Sequence, residues 1–266
     1  MAYSYIPLRA DSPIHWLVFH LNGRRHQIDC ARTDDGVTVA TMIGSRMKLT
    51  VVALLLVGVA NAQVINLGYP GANTAELHAR FNSALVWHPK IIVIMAGAND
   101  ALNPAKLLPP EVSRKYLQLM VARAHAARTQ VVLVTIHDPD FIRLLARHAP
   151  VEYGGTPPEQ RVVELNRVLS EVALRNGVPL VDFHAVLQAN GGATTTLSTD
   201  GLHLTRTGYA LLASAVRAQL PEHVPNSDTI VCFGDSLTYG VGVRSPRNAP
   251  ETGDTYPAQL RALLAR

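Results

Sequence analysis

The strongest chemical signal in this 266-residue chain is a serine near the C-terminus, in the stretch Gly234-Asp-Ser-Leu237. Residues 229–233 before it are apolar and indicate a short buried strand, which Gly234 ends. Ser236 therefore stands at a predicted strand-to-helix turn. Because a serine hydroxyl is a weak nucleophile on its own, the chain must also supply a base and donors for a developing oxyanion.

Three other loops carry residues that suit such a site. A glycine-rich loop covers residues 68–73, Gly97-Ala-Asn-Asp100 follows an apolar strand, and Asp200-Gly-Leu-His203 precedes a predicted helix. In open α/β sheets, ligands bind beyond the carboxyl ends of the strands. The serine, the histidine and the carboxylate are therefore expected to converge at that edge, beside the glycine-rich loop and an asparagine amide.

These loops are positioned by apolar strands that alternate with helices. Predicted strands cover residues 64–67, 91–95, 131–136, 178–183 and 229–233, and predicted helices cover residues 74–86, 109–128, 159–176 and 207–220. Residues 96–100 are predicted as a loop, and residues 137–158 as a looser stretch that lines one side of the site. Strands that are apolar throughout indicate a parallel sheet with helices on both faces. The predicted fold is therefore α/β, with five parallel strands.

The four loops resemble the sequence blocks of the GDSL/SGNH hydrolase superfamily. Gly234-Asp-Ser-Leu237 looks like the first block, Gly71 like the second-block glycine, Gly97-Ala-Asn-Asp100 like the third block and Asp200-Gly-Leu-His203 like the fifth. One such block is a weak signal, whereas four together are a strong one, and they span residues 63–266. The resemblance implies a flavodoxin-like three-layer fold and an esterase or lipase-type acyl hydrolase without metal or cofactor.

The order of the blocks departs from that of the family. Members usually begin with the Gly-Asp-Ser-Leu block, whereas here it comes last, after a predicted linker at residues 221–228. This order predicts a circular permutation that moved the first strand and helix, residues 228–266, to the end of the chain; an engineered origin or an assembly artefact is the alternative. Domain termini often lie close together, so a fold tolerates such a change. Strand 229–233 should then lie between strands 64–67 and 91–95.

The resemblance assigns a role to each polar residue. Ser236 would be the nucleophile, His203 the general base and later the acid, and Asp200 the residue that orients the imidazole. Gly71 and Asn99 would complete the oxyanion hole with the backbone N–H of Ser236.

The same residues also have structural explanations: a helix cap for Ser236, turn positions for Asp200 and Gly71, and loop positions for His203 and Asn99. Among the remaining candidates, Asp235 and Asp100 are expected to hold loop backbones. His137 and His184 are expected to be surface or packing residues, although His137 follows a strand end near the site.

Residues 1–46 are the hardest part of the chain to interpret. Residues 16–28 are compatible with a hairpin that turns at Asn22-Gly23, followed by a polar loop over residues 29–35. A small β appendage is one interpretation of this segment, and a disordered or extraneous leader is the other.

Residues 47–62 resemble a secretory signal. They combine a positive start, an apolar run over residues 49–60 and a small-x-small end at Ala60-Asn-Ala62. If the signal is used, either Met47 is the natural start or residues 1–46 are an extension, and the protein is periplasmic or secreted; otherwise it is cytoplasmic. A buried strand or helix is the alternative. The run is shorter than the roughly 20 residues of a transmembrane helix, so no integral span is expected.

The composition argues against several other functions. The chain has 24 Lys and Arg against 20 Asp and Glu, a net charge of +4, without a basic stripe interleaved with aromatics. Nucleic-acid binding is therefore not expected. The histidines and the two cysteines, Cys30 and Cys232, lack the spacing of a zinc site, and Cys232 is expected to be a small core residue.

The predicted function is that of a serine esterase that cleaves carboxylic esters, with thioesters as an extension, through an acyl-enzyme. The resemblance points to arylesterase, thioesterase and lysophospholipase-type members, acting on small-molecule, lipid or carbohydrate esters. A carbohydrate O-deacetylase of the same superfamily is the alternative. A catalytically silent carbohydrate- or lipid-binding module is the alternative of a different class, and the complete set of polar residues argues against it.

Overall fold

The computed structural model describes three strands before residue 43, and then residues 62–244 and 250–265. The contacts within the chain divide it into two units, Met1–Ala60 and Asn61–Arg266. The assignment of domains at residues 1–46, 47–62 and 63–266 stays a prediction. The secretory-type signal at residues 47–62 lies outside the described residues, apart from Ala62.

The first unit contains a three-stranded antiparallel sheet in the order β1-β2-β3, formed by β1 (Ile14–Leu21), β2 (Arg24–Arg32) and β3 (Thr38–Met42). The antiparallel pairing of β1 with β2 agrees with the hairpin that the sequence allows, and the turn proposed at residues 22–23 lies outside the described residues. The loop predicted over residues 29–35 is wrong for residues 29–32, because β2 continues there and pairs with β3 on its other edge.

The second unit alternates strands and helices. Its strands are β4 (Gln63–Gly68), β5 (Ile91–Met95), β6 (Gln130–Val134), β7 (Leu180–Val181) and β8 (Thr229–Gly234). Its helices are α1 (Thr74–Arg80), α2 (Asn82–Leu85), α3 (Ala98–Leu102), α4 (Pro110–Ala126), α5 (Phe141–Leu145), α6 (Pro158–Asn176), α7 (Phe183–Ala189), α8 (Arg206–Ala218), α9 (Ser236–Tyr239) and α10 (Tyr256–Leu264). No helix of the described residues is long and apolar enough to cross a membrane.

The five strands of the second unit form one parallel sheet in the order β4-β8-β5-β6-β7. All five residues of β5 are buried, as expected for a strand that helices cover on both faces. The α/β fold with five parallel strands is therefore confirmed. The last strand along the chain, β8, lies between β4 and β5, where the sequence analysis expected it.

Several predicted boundaries are wrong. The helix predicted over residues 74–86 is interrupted at Phe81, which separates α1 from α2. The strand predicted over residues 178–183 is reduced to the two residues of β7. The side chain of Asp182 accepts the backbone N–H of Ala185 (3.0 Å) and caps α7. This cap starts a helix where the apolar pattern alone predicts more strand.

Candidate active site

Ser236 lies at the turn between β8 and α9, at the carboxyl edge of the sheet. The side chain of Asp235 accepts the backbone N–H of Leu237 (3.0 Å) and caps α9, so the helix-cap explanation of Ser236 is wrong. A Cβ atom on Gly234 would lie 2.1 Å from the carbonyl oxygen of Met95 in β5. Only glycine therefore fits at the point where the chain leaves the sheet and turns into the helix.

Three side chains form a continuous hydrogen-bonded series at this edge. His203 Nε2 lies 3.0 Å from Ser236 Oγ, and His203 Nδ1 lies 2.7 Å from Asp200 Oδ2. Because an ionised carboxylate only accepts hydrogen bonds, Nδ1 carries the proton and donates to Asp200. Nε2 then accepts the hydroxyl proton of Ser236, which is the tautomer that a general base requires.

Asp200 and His203 share one short turn, which Asp200 itself shapes. Asp200 Oδ1 accepts the backbone N–H groups of Leu202 (3.0 Å) and His203 (2.8 Å). Burial alone would raise the pKa of the Asp200 carboxyl, but hydrogen bonding to His203, the positive charge of His203 when its ring is protonated, and these backbone donors hold the pKa well below its usual range. Asp200 is therefore ionised at neutral pH, and it is a turn residue as well as the partner of His203.

Asn99 reaches the same edge from the end of β5. Residues 96–100 do not form the expected loop, because the left-handed turn at Gly97 (φ 118°) is followed at once by α3, whose second residue is Asn99. The Asn99 side-chain amide donates to the carbonyl oxygen of Ala72 (3.1 Å). An amide nitrogen carries two N–H groups, so Asn99 can make this bond and still present a donor to the cavity beside it.

Gly71 belongs to the loop after β4, which is held against the serine turn. The backbone N–H of Tyr69 donates to the carbonyl oxygen of Gly234 (2.8 Å). Gly71 has a φ of 81°, in the left-handed region that favours glycine. The loop from β4 and the turn from β8 are thereby brought together, although they are far apart in the sequence.

A cavity of ≈ 670 Å³ joins these elements, and its wall includes Gly71, Asn99, Asp200, His203 and Ser236. This volume is typical of small-molecule sites. Apolar residues form much of the rest of the wall: Pro70, Ala98, Leu102, Leu144, Leu202 and Val241. Leu144, Arg147 and His148 come from residues 137–158, the stretch expected to line one side. The structure therefore brings together every predicted site residue, while their catalytic roles stay predictions.

Two further residues contact the turn that carries Asp200 and His203, and the sequence analysis did not predict these contacts. Arg147 Nη1 lies 2.9 Å from Asp200 Oδ2, and no local motif marks this arginine. His137 is buried, and its Nε2 lies 2.9 Å from the carbonyl oxygen of Leu202, next to His203. Burial lowers the pKa of His137 to about 4, so the ring is neutral at pH 7 and donates to that carbonyl.

The other candidates have structural positions. Asp100 accepts hydrogen bonds from the backbone of Thr74 (3.0 Å) and the hydroxyl of Ser113 (2.7 Å), and so joins α1 to α4. His184 pairs with Asp138 (2.9 Å). Burial raises the pKa of Asp235 to about 7, and burial likewise raises the pKa of the Cys232 thiol to about 12. Cys232 is therefore an unreactive core residue, as expected.

The described residues also bear on metal binding. No group of three or more His, Cys, Asp or Glu side chains within them is placed to hold a metal ion.

The chain is similar to a known protein family and to several solved structures. The model of the GDSL-like lipase/acylhydrolase family matches residues 37–211, a range that includes Gly71, Asn99, Asp200 and His203 and ends before Ser236. No curated protein sequence matches the chain.

Three solved structures illustrate the similarity. A lipase/acylhydrolase from Enterococcus faecalis is 29% identical, with 55% of this chain and 69% of that chain covered and a TM-score of 0.47. A GDSL-like lipase from Bacteroides thetaiotaomicron is 20% identical (56% and 70% covered, TM-score 0.47). A catalytic mutant of an acetylxylan esterase from Geobacillus stearothermophilus is 17% identical (56% and 68% covered, TM-score 0.46). The family match, and not these structural similarities, is the basis for assigning the chain.

Proposed function

This chain belongs to the GDSL-like lipase/acylhydrolase family and is a carboxylic ester hydrolase, and we propose that it works as a serine esterase through an acyl-enzyme on Ser236. Its substrates would be carboxylic esters and thioesters of the arylesterase, thioesterase or lysophospholipase type. The observation that carries this proposal is the unbroken series from Ser236 through His203 to Asp200 in the wall of the cavity.

In the first half of the proposed reaction, Ser236 Oγ attacks the carbonyl carbon of the ester while its proton passes to His203 Nε2. The Asp200 carboxylate stabilises the imidazolium through the hydrogen bond to Nδ1. The carbonyl oxygen becomes an oxyanion, for which the backbone N–H groups of Ser236 and Gly71 and the amide of Asn99 are the proposed donors.

In the second half, the tetrahedral intermediate collapses and the bond to the leaving alcohol or thiol breaks. His203 Nε2 returns its proton to the leaving group, and the acyl group stays on Ser236 as an ester. Water then attacks this ester with His203 again as the base, the Ser236 oxygen recovers a proton, and the carboxylic acid departs. Every proton in this cycle passes through one nitrogen of one histidine.

The first test of this proposal is hydrolysis of p-nitrophenyl acetate and of longer p-nitrophenyl esters, combined with an organophosphorus reagent that labels activated serines. We expect turnover above the buffer rate and one label per chain, on the peptide that contains Ser236. Absence of both turnover and label would favour the silent binding module. Strong preference for acetate over longer chains would favour the O-deacetylase, whereas activity on long acyl chains would favour lipase-like substrates.

The pH dependence of the reaction follows from the need for a neutral base. A protonated imidazole cannot accept the serine proton, so kcat/KM should rise with pH between about pH 5 and 8, the range in which histidine usually titrates. Steady-state rates on a neutral ester across this range provide the measurement. A flat profile over the same interval would contradict the role of His203.

The oxyanion donors make a separate prediction. Asn99→Ala removes a neutral amide donor, so kcat should fall by about 10²–10³-fold while KM changes little, because the donor acts on charge that develops in the transition state. Asn103→Ala is the matched control, since Asn103 lines the same cavity and donates to Asn99 Oδ1 (3.1 Å). A loss as large in Asn103→Ala would instead indicate a structural role for this amide pair.

The circular permutation is also a proposal. It is supported by the position of β8 between β4 and β5, and by the family match that ends before Ser236. The last helix, α10, also contacts the start of β4, where Arg261 donates to the carbonyl oxygen of Val64 (2.6 Å). A rearranged chain that begins at residue 228 and joins residue 265 to residue 62 should fold and keep its activity; a chain that does not fold would count against the proposal.

A further inference from the structure

Arg147 contacts the carboxylate that holds His203. Its Nη1 lies 2.9 Å from Asp200 Oδ2, the same oxygen that accepts the hydrogen bond of His203 Nδ1 at 2.7 Å. The other oxygen, Oδ1, accepts two backbone N–H groups, from Leu202 and His203. Asp200 therefore accepts three hydrogen bonds, and its Oδ2 also forms an ion pair with Arg147, a permanent cation.

The segment that carries Arg147 is anchored independently of this contact. The backbone N–H of Asp140 donates to the carbonyl oxygen of Gly201 (2.7 Å), within the turn between Asp200 and His203. Arg143 Nε donates to the Asp140 side chain (2.7 Å), and Leu144 is buried in the core. The side chain of Arg147 is itself 39% exposed. Replacing it should therefore remove its charge and its ion pair with Asp200 without detaching the loop.

The charges around His203 determine how readily its ring is protonated. A carboxylate alone favours the imidazolium, whereas a cation on the same oxygen opposes it. Among the described residues, the other titratable groups near the ring or in the cavity wall are His137, His148, Asp235 and Arg244. Asp140 and Arg143, which pair with each other, lie against Gly201 in the turn that carries His203. Burial keeps His137 neutral and raises the pKa of Asp235 to about 7, and Arg244 stacks on the ring of Tyr239 (4.0 Å). Arg147 is the cation that contacts Asp200 Oδ2, the oxygen to which His203 is hydrogen-bonded.

We propose that Arg147 is a positioning residue of this site, which orients the Asp200 carboxylate and offsets its charge, so that His203 stays a neutral base to lower pH. This inference rests on the proposed esterase mechanism. Arg147, which lies outside the four sequence blocks, would thus influence the pH range in which the enzyme is active.

The test is the pH profile of kcat/KM on p-nitrophenyl acetate, a neutral ester that offers the arginine no anion to bind. For Arg147→Gln, we expect the acidic limb of the profile to move to higher pH by about 0.5–1 unit, because loss of the cation favours the imidazolium. This shift is typical of a partly exposed charge a few ångströms from a titrating group. The plateau should fall by less than about tenfold, because Asp200 keeps its hydrogen bonds to Leu202 and His203. Arg147→Lys, which retains the charge, should stay close to wild type.

Arg167→Gln is the matched control, since it removes one positive charge from an exposed pair with Glu171, and its profile should not move. The inference is wrong if the acidic limb of the Arg147→Gln profile does not move, or moves to lower pH. It is also wrong if the substitution changes only the KM for an anionic ester, because Arg147 would then bind substrate. If Arg147→Gln does not fold, Arg147→Lys decides, because a shifted limb there also contradicts the charge argument. Failure of the proposed function is distinct: Ser236→Ala would then be as active as wild type.

Discussion

Replacing Ser236 by alanine is expected to lower kcat/KM for p-nitrophenyl acetate by about 10⁴–10⁶-fold. The change removes the hydroxyl oxygen that lies 3.0 Å from His203 Nε2, and with it the route through an acyl-enzyme. The oxyanion donors and the cavity would remain, so residual catalysis above the buffer rate is expected from them. Initial rates with excess enzyme, together with loss of organophosphorus labelling, provide the measurement.

The folded structure should survive this substitution, because the alanine methyl fits within the volume that the serine side chain occupies. Ser170→Ala is the matched control: Ser170 lies on an exposed face of α6 and bonds only within that helix, to the carbonyl oxygen of Asn166 among its described contacts (2.9 Å). It should retain full activity. If wild type is no faster than Ser236→Ala while both proteins unfold at the same temperature, the serine mechanism is wrong.

Replacing Asp200 by asparagine is expected to lower kcat by about 10³–10⁴-fold, the size of effect seen when the carboxylate of such a series becomes an amide. The carboxylate accepts the proton-bearing Nδ1 of His203, and an amide in its place can donate to that nitrogen and favour the other tautomer. Nε2 would then carry the proton and could no longer accept one from Ser236. The imidazolium would also lose its counter-charge.

Asp138→Asn is the control for this change, because Asp138 forms a second Asp–His pair, with His184 at 2.9 Å. Activity should change by less than about threefold there, in the range of surface substitutions. Equal losses in the two variants would show that the effect is not specific to the site. Rates above about pH 8 would discriminate further, since high pH restores a neutral ring but not the correct tautomer.

The parts of the site that could be predicted from the sequence depend on short-range geometry. Asp200 and His203 lie three residues apart, and the turn that joins them through Asp200 Oδ1 is local. Gly234 and Ser236 follow an apolar strand, and the close approach of Gly234 to Met95 explains why a glycine precedes the serine turn. Such features appear in the sequence because only a few neighbouring residues decide them.

Predictions failed where a local pattern met a competing contact. The 178–183 strand stops at Val181 because the Asp182 side chain caps the next helix. Asn99 lies in α3 rather than in a loop, because Gly97 turns the chain directly into a helix. Hydrophobic periodicity describes burial, and it does not report side-chain caps or left-handed turns.

By itself the sequence determined the class of fold and the five residues expected at the site, because apolar strands, turn glycines and short polar spacings are encoded locally. The resemblance to the family also predicted that β8 lies between β4 and β5 and that Ser236 meets His203, as the structure has them. The tertiary structure alone decided that Arg147 contacts Asp200 and that His137 contacts the carbonyl oxygen of Leu202. Each of these depends on contacts between segments that are distant in the chain. Packing against the whole sheet selects such contacts, and no neighbouring residue does.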